Sequence, residues 1–172
     1  MKRWFNKKGQ EVMGMSFGFI FSILLIVFFI AIAFIVIKQF LHTGDCARVG
    51  IFVEKFKSDV QKSWNSQIDS HVFIGILPSG IDYVCFADLS IPFKGEFSDF
   101  EDELGLYEGK EANLYLYPTG KSCELPYHTI PHLDIENIIA RKNPHCISVI
   151  DGKVSLLVSK ELNDRLVRIA AG

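Results

Sequence analysis

Ser16–Ile37, SFGFIFSILLIVFFIAIAFIVI, decides how the rest of the chain is read. It carries no charged residue, and Ser16 and Ser22 are its only polar side chains. From Phe17 the apolar run covers about 21 residues, or about 31 Å at roughly 1.5 Å per helical residue, which matches the hydrocarbon thickness of a bilayer. Backbone polar groups in lipid need partners within the segment itself, and a helix supplies them. The expectation is one transmembrane helix over residues 16–42, with membrane lipid as its surroundings.

Charge divides at this helix. Lys2, Arg3, Lys7 and Lys8 precede it against Glu11 alone, so residues 1–15 read as a basic cytoplasmic leader. From Asp45 onward 19 acidic residues stand against 13 Lys or Arg, a net charge of −6. The remainder, about 130 residues, is the size of one domain and is expected outside the cell membrane, with the N-terminus inside. Its acidity argues against a nucleic-acid partner, which calls for a basic surface.

All four cysteines, Cys46, Cys85, Cys123 and Cys146, follow the helix. An even number on the expected outer side suggests two disulfides. Zinc sites favour close pairs such as CxxC, whereas these cysteines lie 39, 38 and 23 positions apart. Buried free thiols are the other alternative. Three connectivities exist, and the preferred one is Cys46–Cys85 with Cys123–Cys146, the latter closing a short loop.

A cleaved secretory signal would use Ala31-Ile32-Ala33, but Phe34–Ile37 continues the apolar run past it. Upstream, Lys7-Lys8-Gly9-Gln10-Glu11-Val12-Met13-Gly14 followed by the long apolar helix resembles the N-terminus of archaeal type IV pilin-like precursors. The resemblance covers about 30 residues. It implies removal of a leader ending at Lys8-Gly9, a mature chain beginning at Gln10, and Glu11 as the acid near the new N-terminus. That carboxylate would pair with a neighbouring subunit's α-amino group as helices bundle. Glu11 departs from the family pattern by following Gln10 directly. Leu77–Phe86 and the late hairpin near Gly152 also resemble segments of small archaeal single-pass membrane proteins, a likeness that implies no activity.

Gly14, Gly18 and Ser22 recur every four residues along the helix. Small residues at this spacing let a second helix approach closely, so this stripe is the candidate packing face of a homo-oligomer or filament. A plain single-pass anchor would also tolerate it.

Beyond the span, Thr43-Gly44-Asp45 reads as a break, with Asp45 capping a second helix over 45–66. Cys46, Val49, Phe52/Val53, Phe56, Val60 and Trp64 step by three and four, which marks one apolar face. This helix needs a sheet to cover it. Residues 70–172 supply strand signals: Val72–Leu77 and Ile81–Ala87 around Pro78-Ser79-Gly80 read as a hairpin, Ala112–Tyr117 as a strand, and Asp151-Gly152 as a type I′ turn between Cys146–Ile150 and Lys153–Val158. Leu166–Ala170 reads as a last strand and Ile135–Ala140 as a helical turn. Ser90–Gly109, rich in acids, reads as a solvated loop or short helix, since its spacing does not fit a calcium loop. The fold class is α+β: a transmembrane helix continued by an amphipathic helix packed on a small, mostly antiparallel, disulfide-containing head.

No phosphate loop, GxGxxG, GxSxG or HExxH is present. His128 and His132 have metal-like spacing, but Pro131 between them disfavours a helix, and both read as surface residues. No catalytic residue, metal or cofactor is expected. The expected function is a membrane-anchored extracytoplasmic structural or interaction protein, pilin-like through its N-terminal helix. The alternative is a non-polymerising surface receptor or binding module for an unidentified extracellular ligand.

Overall fold

The computed structural model describes residues 10–123 and 125–172, with 10–16 and 42 as backbone only. The first element, α1, is Gln10–Asn65. The expected break at Thr43-Gly44-Asp45 does not interrupt it. One glycine costs about 1 kcal/mol in a helix interior, too little to end one without a proline, and an Arg48–Asp45 ion pair at 3.3 Å supports the turn. The chain nevertheless divides into two compact units between His42 and Thr43.

In the first unit, every described residue from Phe17 to Leu41 is exposed. By length and composition this is the one described helix able to cross a membrane. Ser22 donates its hydroxyl to the Gly18 carbonyl at 2.8 Å, and a Cβ at Gly18 would meet nothing.

The second unit is α+β, with two antiparallel sheets. One has the order β1 (Asp69–Ile76), β6 (Lys153–Lys160), β7 (Arg168–Ala171). The other has the order β4 (Tyr127–His128), β3 (Leu114–Tyr117), β2 (Tyr83–Phe86), β5 (His145–Ser148). Short helices α2 (Glu101–Leu104) and α3 (Ile135–Ile138) lie in the connections. Asp134 caps α3, its carboxylate accepting from the Asn137 N–H at 3.2 Å.

The expected helix face is the one that packs. Val49, Phe52, Val53, Phe56 and Val60 are buried with residues of both sheets, among them Val84, Leu116, Val154 and Leu156. Helical steps of three and four put these side chains in one stripe, and the alternation of each strand presents one apolar face to it. Gly75 makes the approach close: a Cβ there would overlap the Phe52 ring. Trp64 closes the row at the surface, stacked on His132 at 3.8 Å and donating its Nε1–H to the Arg165 carbonyl.

The hairpin expected between Val72–Leu77 and Ile81–Ala87 does not form. β1 pairs with β6, and β2 pairs with β3 and β5. Each end of the intervening loop is committed to a different neighbour, Leu77 N–H to Gly152 C=O and Asp82 N–H to Tyr117 C=O. The Asp151-Gly152 turn has positive φ at both residues, 50° and 70°, as a type I′ turn requires. It holds only the Ile150–Lys153 bridge before the flanking strands part into different sheets.

The cysteines pair as Cys46–Cys123 and Cys85–Cys146, which corrects the preferred connectivity. Topology is the reason. Cys85 lies directly opposite Cys146 across β2–β5. Val149 N–H bonds to Asp82 C=O, so the alternating ladder puts 85/146 at a non-hydrogen-bonded position, where the Cα atoms come closest. Their separation is 3.9 Å.

The acidic stretch after Ser90, expected as a solvated loop or short helix, contains the short helix α2 and also buries apolar side chains. Phe93, Phe100, Leu104 and Tyr107 join Tyr83, Cys85, Tyr115, Tyr117 and Tyr127 in a second core, on the face of the four-stranded sheet turned away from α1. Phe100 stacks on Tyr117 at 3.7 Å. Burial pushes the Tyr115 hydroxyl up to about 12, and that hydroxyl donates to the Ala112 carbonyl. Buried Asn143 holds the loop by donating to Asp88 C=O at 2.8 Å and accepting from Asp88 N–H.

Candidate functional site

The outer side of β1 is an accessible apolar surface of the second unit. Its residues alternate, so His71, Phe73 and Gly75 turn inward while Ser70, Val72, Ile74 and Ile76 are exposed. Ile74 is 64% exposed and Ile76, the last residue of the strand, 62%, high for strand isoleucines. No charge, proline or bulge interrupts Val72–Ile76, the devices that ordinarily protect an edge.

The backbone of the same residues is also free. Leu77 N–H bonds to Gly152 C=O, which makes 77/152 a hydrogen-bonded pair of the β1–β6 ladder. Counting back by two, the N–H and C=O groups of 75, 73, 71 and 69 face β6, and those of 76, 74, 72 and 70 face away. β1 is the end strand of its sheet, and among the described residues the outward groups of 72, 74 and 76 have no hydrogen-bond partner.

A groove of about 200 Å³ runs between this edge and α1, lined by Arg48, Ile51, Phe52 and Lys55 on the helix and Phe73–Ile76 on the strand. Arg48, Ile51 and Lys55 lie three and four residues apart, hence on one helical stripe. No carboxylate lines it. Arg48 is paired with Asp45, and Lys55 has no ion pair among the described residues. On the other side of Ile74 a second cleft, about 490 Å³, is lined by Ile147, Ile150, Lys153, Ser155 and Gly172 among others.

At the far end of β1 a polar latch joins strand to helix. His71 Nε2 lies 2.7 Å from Asp59 on α1, and its Nδ1 lies 3.3 Å from Asp69 Oδ1. Buried Ser63 donates its hydroxyl to Asp69 at 2.6 Å. This is not a nucleophile with its base, because the serine bonds to the carboxylate and not to the imidazole. Nor is it a metal site. The carboxylates approach opposite ring nitrogens, and no metal-holding group of three such residues is found among the described ones.

The latch makes stability depend on pH. The Asp59 hydrogen bond chiefly raises the His71 pKa above its ordinary 6.5, and the Ser63 hydrogen bond chiefly lowers that of Asp69 below 3.8. The His71 contribution is present in full below about pH 6.5 and is lost as pH rises through the folded-state value. The Asp69 contribution is present above about pH 3.8 and is lost as pH falls through its folded-state value. Between about pH 6 and about pH 8, wild-type protein is expected to lose more thermal stability than His71→Gln. Parallel losses in a calorimetric comparison would count against the latch.

The sequence-derived candidates fall as follows. The four cysteines are all disulfide-bonded. Gly14, Gly18, Ser22, Gln10 and Glu11 lie within α1; Lys8 and Gly9 lie outside the described residues. His128 and His132 are not simple surface residues: His128 is half-buried with Nε2 enclosed and its pKa lowered by burial, and His132 stacks on Trp64. The β1 edge and the His71 latch were not singled out from sequence. The signal for the edge was the uncharged Val72–Leu77 run, which identifies a strand but not its neighbours. No family model matches the chain, and no curated protein or solved structure matches it.

Proposed function

We propose that the protein is a membrane-anchored structural or interaction component, with its disulfide-bonded unit on the extracytoplasmic side. The observation that carries this is the bare apolar helix. Between Phe17 and Ile37, seventeen Phe, Ile, Leu or Val residues are exposed. At roughly −0.3 to −0.6 kcal/mol each, an upper bound because the values apply at mid-membrane, insertion gains about 5 to 10 kcal/mol. Upstream basic residues favour an inside N-terminus, and disulfides suit an oxidising outer compartment. The mechanism is assembly and binding, not catalysis.

The sharper form of this reading is a pilin-like subunit that assembles through the Gly14/Gly18/Ser22 face. The Ser22 hydroxyl is folded back onto the Gly18 carbonyl, which keeps that face narrow and free of an unsatisfied donor. Intact mass of the native protein tests it. A mature chain starting at Gln10 is the expected result, and a membrane form retaining Met1–Gly9 rejects it. Gly18→Leu should also shift detergent-solubilised oligomers toward monomer; unchanged size rejects the packing face.

A second reading, a non-polymerising binding module, is favoured by the free edge of β1. There the helix only tethers the domain, and the groove between α1 and β1 does the work.

A further inference from the structure

We propose that the groove between α1 and β1 receives an extended segment of another protein, which adds as a fourth strand to the β1 edge and carries carboxylates on the side that faces α1. This rests on the binding-module reading and names its partner chemistry. Three observations converge on it. The N–H and C=O groups of Val72, Ile74 and Ile76 point out of the sheet without partners among the described residues. An incoming extended backbone satisfies them, which supplies affinity that is independent of sequence.

The side chains of such a strand alternate between two surfaces. On the outer face they lie beside exposed Val72, Ile74 and Ile76, which select apolar residues. On the inner face they meet the α1 stripe, where Ile51 is 54% exposed and flanked by Arg48 and Lys55. From residue 48 to residue 55 the stripe rises about 10 Å, at roughly 1.5 Å per residue. Inner-face positions of a strand recur about every 7 Å, at roughly 3.4 Å per residue, so two or three alternate carboxylates span both cations. No acid lines the groove itself; Arg48 is shared with Asp45 at 3.3 Å, and Lys55 is the cation with no ion pair among the described residues.

A second copy of β1 is a poorer occupant. Pairing β1 with itself brings a second Arg48 and Lys55 to the joint, while the one inner-face carboxylate of that strand, Asp69, is already held by Ser63 and His71. Like charges brought together across an interface disfavour that partner.

The test uses the full-length protein in zwitterionic lipid nanodiscs and two labelled heptapeptides, one alternating valine with glutamate and one alternating valine with lysine. The glutamate peptide should bind saturably and at least tenfold more tightly than the lysine peptide, with affinity falling as salt is raised. Arg48→Glu/Lys55→Glu should reverse the preference. Ile74→Pro removes an outward-facing N–H but no β1–β6 bond, so it should abolish binding with the thermal midpoint kept within a few degrees. Equal binding of both peptides, binding indifferent to the charge reversal, or no binding overturns the proposal. So does a concentration-dependent dimer that Ile74→Pro disperses, which would identify a second copy as the occupant. The leader-mass measurement is separate, so failure here leaves helix assembly standing.

Discussion

Phe56→Ala is expected to destabilise the Thr43–Gly172 unit by about 3 to 5 kcal/mol. Phe56 is fully buried on α1, and its ring lies 6.1 Å from Phe52, 5.3 Å from Phe73 on β1 and 6.1 Å from Phe86 on β2. One side chain therefore links the helix to both sheets. Removing it costs the transfer free energy of the ring plus a cavity whose walls belong to three elements, each held by its own ladder or disulfide, so the site cannot collapse to fill the space. For a unit of this size the loss corresponds to a fall in Tm of roughly 10 to 20 °C. Circular dichroism melts in detergent would measure it. A shift of only two or three degrees would show that the two sheets do not share the core around Phe56.

Loss of either disulfide should have an effect of similar size. Cys46–Cys123 links residues 77 apart and Cys85–Cys146 residues 61 apart. On the chain-entropy account, loops of these lengths stabilise by roughly 4 to 4.5 kcal/mol each. The loops interleave, since Cys85 lies inside the first and Cys146 beyond it. Closing one shortens the chain still free to be closed by the other, so each single loss from the doubly bridged protein costs less than its isolated-loop value, and removing both should cost more than the two single losses added together. Each pair replaced by alanines, and then all four cysteines, would be compared in denaturant titrations, with strict additivity the unfavourable outcome. Non-reducing mass analysis of native protein should detect no free thiol, and four free thiols would reject the oxidising compartment along with the bridges.

What could be read in the chain, and what could not, divides along a physical line. The α1 face made by Val49, Phe52, Val53, Phe56 and Val60 was legible, because helical periodicity is a property of consecutive residues. So was the Asp151-Gly152 turn, since its requirement for positive φ is local. In the acidic stretch the short helix was legible, but its buried face was not. Phe97, Phe100, Leu104 and Tyr107 recur at steps of three and four, a signal for a buried face that the surrounding Asp and Glu obscured.

The errors that remained concern partners. The apolar, β-branched run Val72–Leu77 and the alternation in Ile81–Ala87 identified strands, but adjacency in sequence suggested a hairpin that the two sheets do not contain. The disulfide pairing failed for the same reason, because Cys85 and Cys146 meet only once β2 and β5 are neighbours. Whether Ile74 lies at a sheet edge or inside it is likewise a matter of topology.

By itself, then, the sequence determined an apolar helix of membrane-spanning length, a second apolar helical face that demanded a sheet, several strands and an even set of cysteines. Each follows from residues within a few positions of one another. Only the tertiary structure decided the strand order, the disulfide partners, the His71 latch and the unpaired edge beside Arg48 and Lys55. These depend on which distant segments lie side by side, and that is settled by burying both sheets against one helix at once, a cooperative outcome that no short stretch encodes.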